Sequence, residues 1–265
     1  MSIFDKQKSR LSFDKAASQY NKYALLQQQV AVNLLRHLRD RENSSPRSIL
    51  DLGCGTGQVT EVLSDRYPGA ELTALDFSPR MLEQTEQRMH ALGAHATTVC
   101  ADADSLPFAT GSYDLIVSSL MLQWSSDLYA TLSGINRVLA DNGMFCFSSF
   151  SEGTLWELKK SWEAVDHAPH SSDFLSLEQF ETVTNSAGFS SVDIVTETIV
   201  ESYSSIRELL LSMKGIGASN AHSGRDRGLT GKQRFHAFER AYDGYRLENG
   251  AYPCTWEVTY VFCAK

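Results

Sequence analysis

Ser48-Ile49-Leu50-Asp51-Leu52-Gly53-Cys54-Gly55-Thr56-Gly57 is a short apolar run that stops abruptly at glycines. Val59, Val62 and Leu63 follow at helical spacing among Glu61, Asp65 and Arg66. The pattern predicts a buried strand, a tight turn and a helix start. Glycine has no Cβ and tolerates positive φ, so a ligand can lie against this backbone. The first turn of the helix adds unpaired N–H groups. The dinucleotide pattern G-x-G-x-x-G does not fit, because the third glycine falls one place early and Gln58 stands where it belongs. Asp51 at the strand end would repel a pyrophosphate and attract an ammonium or sulfonium group. The next apolar strand, Leu72-Thr73-Ala74-Leu75, closes on Asp76, where a carboxylate can accept both hydroxyls of a ribose.

This arrangement resembles the S-adenosylmethionine (SAM) fingerprint of class I methyltransferases, D-x-G-x-G-x-G followed by an acid that ends strand two. A nicotinamide-type site or a purely structural turn is the competing reading. The resemblance implies a cofactor set of Asp51, Gly53, Gly55, Gly57, Asp76, Phe77, Met81, Asp102, Ala103 and Ser118. In it Asp102, flanked by Ala103, takes the adenine amino group, and Phe77 and Met81 pack on the adenine. Plain core filling is the alternative for those two residues.

A chain of 265 residues with 42% hydrophobic content can bury a sizeable core in one α/β domain. No apolar run approaches a membrane span, and the first residues carry no signal-peptide pattern. Cys54, Cys100, Cys146, Cys254 and Cys263 are odd in number and widely spaced, as expected of reduced cysteines in a cytoplasmic protein. The seven histidines show no paired-ligand spacing, so no metal is expected. The net charge of −8 argues against general nucleic-acid binding. Residues 207–240 are the exception. Arg207, Lys214, Arg225, Arg227, Lys232, Arg234 and Arg240 face only Glu208, Asp226 and Glu239, a net +4 that leaves −12 for the rest. Such a segment can steer an acidic partner, or be a solvated face with none.

Along the chain, residues 11–41 read as helix, with Leu11, Phe13, Ala16, Ala17 and Tyr20 and then Leu26, Val30, Leu34, Leu35 and Leu38 at helical spacing. After strand two, Ser78 is set to cap a helix with Pro79 in its first turn. Strands follow at Thr97–Cys100 and Tyr113–Ser118, a helix at about 127–140, and a fifth strand at Met144–Phe150. Five strand–helix repeats predict a Rossmann-like, doubly wound parallel sheet with Asp51, Asp76, Asp102 and Ser118 at the strand ends where ligands bind. Helices at 155–166 and 176–187 precede a sixth strand, Val192–Val200, and Trp256–Phe262 is a terminal strand. In class I methyltransferases the last two strands form a hairpin with the seventh antiparallel. Here that hairpin would hold a helical insertion, 204–250, of a length usual for a lid. The expected layout is a single domain over 1–265, with N-terminal helices (1–41), a cofactor core (46–150) and the lid.

Three further stretches narrow the acceptor: Phe13-Asp14-Lys15-Ala16-Ala17-Ser18-Gln19-Tyr20, Ser118–Trp124, and Leu211-Ser212-Met213-Lys214-Gly215-Ile216-Gly217-Ala218 with His222 and Arg225 downstream. With Pro169-His170 and Phe174-Leu175 they resemble the biotin-pathway malonyl-acyl carrier protein O-methyltransferases. That resemblance implies methyl-ester formation on the free carboxyl of a malonyl thioester. A malonyl carboxylate is ionised at neutral pH, so no general base is expected. Lys214, His222 and Arg225 are the candidates for holding it, and Tyr20 for closing over the methyl group. Acyl carrier proteins are acidic, so residues 225–240 would dock one; malonyl-CoA is the other possible carrier. The alternatives are another small-molecule SAM methyltransferase, such as a quinone-pathway C-methylase, and a SAM-binding protein without chemistry.

Overall fold

The computed structural model describes residues 6–17, 20–41, 45–166, 174–215 and 231–265. The expected N-terminal helix is three pieces, α1 (Lys6–Ala16), α2 (Tyr20–Tyr23) and α3 (Leu25–Arg39). Ala24 leaves the helical path at φ −90°, ψ 35°. The apolar positions that read as one stripe therefore serve different partners. Those of α3 lie in the core, while Phe13 of α1 faces aromatic rings at the sheet edge.

The central run is β1 (Ser48–Leu52), α4 (Gln58–Arg66), β2 (Glu71–Asp76), α5 (Pro79–Ala91), β3 (Thr97–Cys100), β4 (Tyr113–Ser119), α6 (Leu128–Val138) and β5 (Leu139–Phe150). The expected cap of α5 is present: Ser78 Oγ accepts from Met81 N at 3.2 Å with Pro79 in the first turn. Asp127 caps α6 through Ala130 N at 3.1 Å. No helix joins β3 to β4, so the five expected repeats are four. Pro107 offers no N–H for helix growth, and Arg137 on α6 holds the loop by donating to Leu106 O (3.1 Å) and Phe108 O (2.7 Å).

The remaining elements are α7 (Trp156–Glu163), α8 (Leu177–Ser186), β6 (Ser191–Tyr203), α9 (Ile206–Gly215), α10 (Lys232–Tyr242) and β7 (Tyr252–Ala264). The seven strands form one sheet in the order β3-β2-β1-β4-β5-β7-β6. Only β7 runs antiparallel to its neighbours, β5 and β6. The strand order reverses between β1 and β4, the position where open α/β sheets bind ligands.

Two apolar layers sandwich the sheet. Ile49, Leu115, Val117, Cys146, Val258 and Tyr260 pack against α3, α4, α7, α9 and α10. Leu50, Leu52, Ile116, Phe145 and Phe147 pack against α6 and α8. Each fully buried aliphatic side chain contributes roughly 1.5–3 kcal/mol. The α3 helix is also fastened to the C-terminal hairpin through one carboxylate. Glu197 of β6 accepts from Asn33 (2.6 Å), Arg36 (3.0 Å) and Tyr260 (3.1 Å), and His37 Nε2 lies 3.0 Å away. All five cysteines are free, and all but Cys100 are buried.

The β6–β7 hairpin overhangs the rest of the sheet. The last pairing of β5 joins Phe150 to Val258, whereas β6 and β7 stay paired out to Tyr203 and Tyr252. Six residues of β7 thus project roughly 20 Å past the ligand-binding edge, and α9 and α10 are carried at that tip.

Candidate active site

Asp51 and Asp76 stand at the reversal point, 1% and 7% exposed. Asp51, Asp76 and Asp102, expected in register across consecutive strand ends, are instead staggered. Asp51 pairs with Ala74, and Asp76 with Cys100. The acids form a staircase of two residues per step, and Asp102 lies two residues beyond Cys100. A two-residue step preserves the face of a strand, so Asp51 and Asp76 sit on the same face and repel each other. Ser118 does not join them. It follows Val117, the partner of Asp51, so it points to the opposite face and donates to Leu52 O at 2.8 Å.

Each acid organises a turn. Asp76 Oδ2 accepts from Gly55 N (3.0 Å), and Oδ1 accepts from Ser78 N (2.8 Å). Asp51 Oδ2 accepts from Thr60 Oγ1 at 2.5 Å. Asp102 Oδ1 accepts from Asp104 N at 3.0 Å. The three glycines all have positive φ but different neighbours. A Cβ on Gly53 would collide with Met121, and one on Gly57 with Thr85, whereas Gly55 faces open space. Only Gly55 leaves its backbone bare for a ligand; the other two admit neighbouring side chains. Met81 is buried, and Ala103 packs against the α6 layer.

The N-terminal helices cover this edge. Phe13 meets Phe77 (5.9 Å between ring centroids), Trp124 (5.2 Å) and Tyr20 (6.4 Å). Asp14 accepts from Ser78 Oγ at 2.6 Å. Asn21 Oδ1 accepts from Thr56 Oγ1 (2.7 Å) and Gln58 Nε2 (3.3 Å), which ties α2 to the glycine turn. Burial, and then the Asp76 carboxylate, pushes the Tyr20 phenol up. Phe77 therefore packs under a lid ring, a role its sequence position did not show. No motif singled out Asn21 or Thr60, and Asp14 and Met121 lay in quoted stretches without a role of their own.

The acid pair is unusual in its electrostatics. Burial raises Asp51 to about 7, with Asp76 adding to it and the Thr60 bond opposing. Burial raises Asp76 to about 6, against its backbone N–H bonds and with Asp14 adding. Two buried carboxylates with no ion-pair partner among the described residues favour a cationic ligand.

Residues 49–143 match the family model described as a methyltransferase domain. The fold is that of the YcgJ protein from Bacillus subtilis, with a TM-score of 0.63 at 17% identity over 88% of this chain and 97% of that one. A putative methyltransferase from Bacillus halodurans gives 0.61 at 13% identity over 88% and 99%. A malonyl-acyl carrier protein O-methyltransferase of Laribacter hongkongensis is 38% identical over 97% of this chain and 88% of its own. The chain belongs to the malonyl-acyl carrier protein O-methyltransferase family. It also aligns over 96% of its length, at 35% identity, with the biotin biosynthesis bifunctional protein BioHC of Teredinibacter turnerae, of which it spans 46%.

For a malonyl-acyl carrier protein O-methyltransferase the site suits SAM on two observations. The acid pair favours a cationic ligand, and Gln123 Oε1, beside Trp124, is a buried acceptor with no partner among the described residues. Asp51, Asp76 and Gly55 are the residues placed to hold it. Of the substrate candidates, Lys214 lies in the last turn of α9, a helix in contact with α2. His222 and Arg225 lie outside the described residues, as do Pro169 and His170. No group that could hold a metal occurs among the described residues, and no helix among them is long and apolar enough to cross a membrane.

The acid pair makes a pH prediction. Both folded-state values lie above the ordinary 3.8, so their ionisation removes stability from the free protein as pH rises from about 4 to about 7. A bound cation favours the ionised pair and releases the protons. SAM affinity should therefore rise from about pH 5.5 to about pH 7.5 and then level off, with Asp51→Asn flattening the rise. Calorimetric titration in two buffers of different ionisation heat measures the proton release. A flat affinity across that window would place the cation elsewhere.

Proposed function

We propose that this chain transfers a methyl group from SAM to the free carboxylate of a malonyl thioester on an acyl carrier protein, giving the methyl ester that primes pimeloyl assembly for biotin. The observation that carries this reading is the near full-length likeness to proteins of that name, joined to a lidded acid pair fit for a cation. When bound, SAM supplies a sulfonium methyl that passes to a carboxylate oxygen while the C–S electron pair stays on sulfur.

No proton moves in that exchange, which agrees with a site built from acids and aromatic rings. The chain's own task is alignment and exclusion of water. Asp51 and Asp76 fix the electrophile's end of the site. Phe13, Phe77 and Trp124 close the edge to solvent, which strengthens the electrostatics inside. Tyr20, protonated throughout the working range, is a hydrogen-bond donor beside Asp76. Lys214, His222 and Arg225 are the cations proposed to hold the malonyl carboxylate in line. A guanidinium can grip it bidentately.

Mass spectrometry of malonyl-acyl carrier protein incubated with the protein and SAM tests the reaction. The expected result is a gain of one methyl, lost on ester hydrolysis and absent with the acetyl-loaded carrier. A protein that binds SAM but yields no gain would need a different acceptor.

A further inference from the structure

The start of α9 and the end of α10 flank an open cleft of about 470 Å³. Arg207 and Arg240 line it, 33 positions apart in sequence and brought together by the return of the chain through α10 to β7. Neither has an ion-pair or hydrogen-bond partner among the described residues. The acids on the same rim are already engaged. Glu239 lies 2.9 Å from His236 Nδ1, and Asp243 accepts from Tyr252 OH at 2.7 Å. Each guanidinium has five N–H donors, so the unpaired hydrogen-bonding capacity of the cleft is for acceptor groups such as carboxylates, while Glu239 and Asp243 balance the two arginines in formal charge.

Its location adds to this. The cleft sits at the tip of the overhanging β6–β7 hairpin, on the ligand-binding side of the sheet. The α9 helix, about 15 Å long, also packs against α2, which opens with Tyr20. A partner seated on the two arginines would stand beside a helix that also touches the N-terminal cover of the proposed site of chemistry.

We propose that the Arg207–Arg240 cleft is a docking surface for the carboxylate-rich face of the carrier protein that delivers the substrate. This rests on the malonyl-carrier reading above, keeps Arg240 from the 225–240 segment expected to dock the carrier, and adds Arg207 from the start of α9. Rim charges of this kind act mainly on association rate and its salt dependence.

The test compares wild type with Arg207→Glu/Arg240→Glu and with the charge-keeping Arg207→Lys/Arg240→Lys. The readouts are carrier binding by calorimetry and methyl transfer to malonyl-acyl carrier protein and to malonyl-CoA. For the charge reversal we expect carrier affinity and kcat/KM on the carrier to fall about tenfold or more through KM, with a flatter salt dependence. Turnover of malonyl-CoA and SAM affinity should hold, and the lysine pair should keep most of the carrier activity. Equal losses on both thioesters, unchanged carrier binding, or a wild type that binds no carrier would each overturn the docking surface. A wild type that binds the carrier through these arginines yet methylates neither thioester would sink the proposed reaction and leave the surface standing.

Discussion

Asp76→Ala should raise the dissociation constant for SAM at least about a hundredfold. Asp76 is the residue through which two turns are held, because its oxygens accept Gly55 N from the glycine turn and Ser78 N from the cap of α5. A hydrogen bond to a charged group contributes about 1.5–3 kcal/mol. Without those bonds both turns come loose, and binding SAM would have to reorder them, at a cost comparable with the roughly 2.8 kcal/mol that a hundredfold change represents. The contacts a ribose would make to the same carboxylate are lost as well. Asp76→Asn should fall between wild type and alanine, since one amide oxygen can serve only one of the two N–H groups and the amide nitrogen opposes the other. Calorimetric titration reads the affinity, and thermal melting checks that the sheet survives. An unchanged affinity in a folded Asp76→Ala protein would remove the cofactor from this edge.

Phe238→Ala should detach the cap while sparing the cofactor site. Phe238 is fully buried, stacked on Trp162 of α7 at 4.3 Å between centroids, with Tyr242 edge-on at 5.7 Å. Truncating a core phenylalanine costs about 3–5 kcal/mol. Besides that stack, α10 is held by buried Tyr242, whose ring meets Tyr252 of β7 at 6.2 Å and whose OH donates to Pro253 O at 2.8 Å, and by the Arg234–Asp166 ion pair. The loss should stay local. Hydrogen exchange in α9 and α10 should speed up by two or more orders of magnitude while the amides of β1, β2, β4 and β5 keep their protection. SAM affinity should be unchanged, and methyl transfer to malonyl-acyl carrier protein should drop about tenfold or more. Matched loss of protection in the sheet would show that cap and sheet unfold as one unit.

Much of this fold was legible because its signals are local. The apolar run before Gly53 and the acid after Leu75 are contiguous patterns, and Ser78-Pro79 announced a capped helix that is present. What stayed hidden depends on distant partners. Nothing in a sequence says that Thr60 will donate to Asp51, or that Met121 will fill the space over Gly53. The stagger that sets Asp76 two residues beyond Asp51 is a property of strand pairing, as is the turning of Ser118 to the other face. The break at Ala24 was masked because helical spacing continued on both sides of it. In residues 231–242 the basic side chains drew the reading towards an exposed face. The same helix carries Phe235, Phe238 and Tyr242; Phe238 stacks on Trp162 of α7 and Tyr242 meets Tyr252 of β7, so its charge pattern concealed a face that belongs to the main core.

The placement of β7 between β5 and β6 bears on how the chain is made. A ribosome delivers β7 about a hundred residues after β5 is finished. At roughly 5–20 residues per second, β5 waits some 5–20 s (about a hundred residues at that rate) without the neighbour that completes its ladder, and β6 has no strand to pair with at all. During that interval Phe145, Phe147 and Phe150 lie along an unfinished sheet edge, the kind of surface that recruits other nascent chains. The N-terminal helix α3 waits as well, since Glu197 and Tyr260, which anchor it, emerge late. The decisive step of assembly therefore comes late, and the protein's yield in a cell should depend on chaperones that shield the β5 edge as well as on the finished molecule's stability.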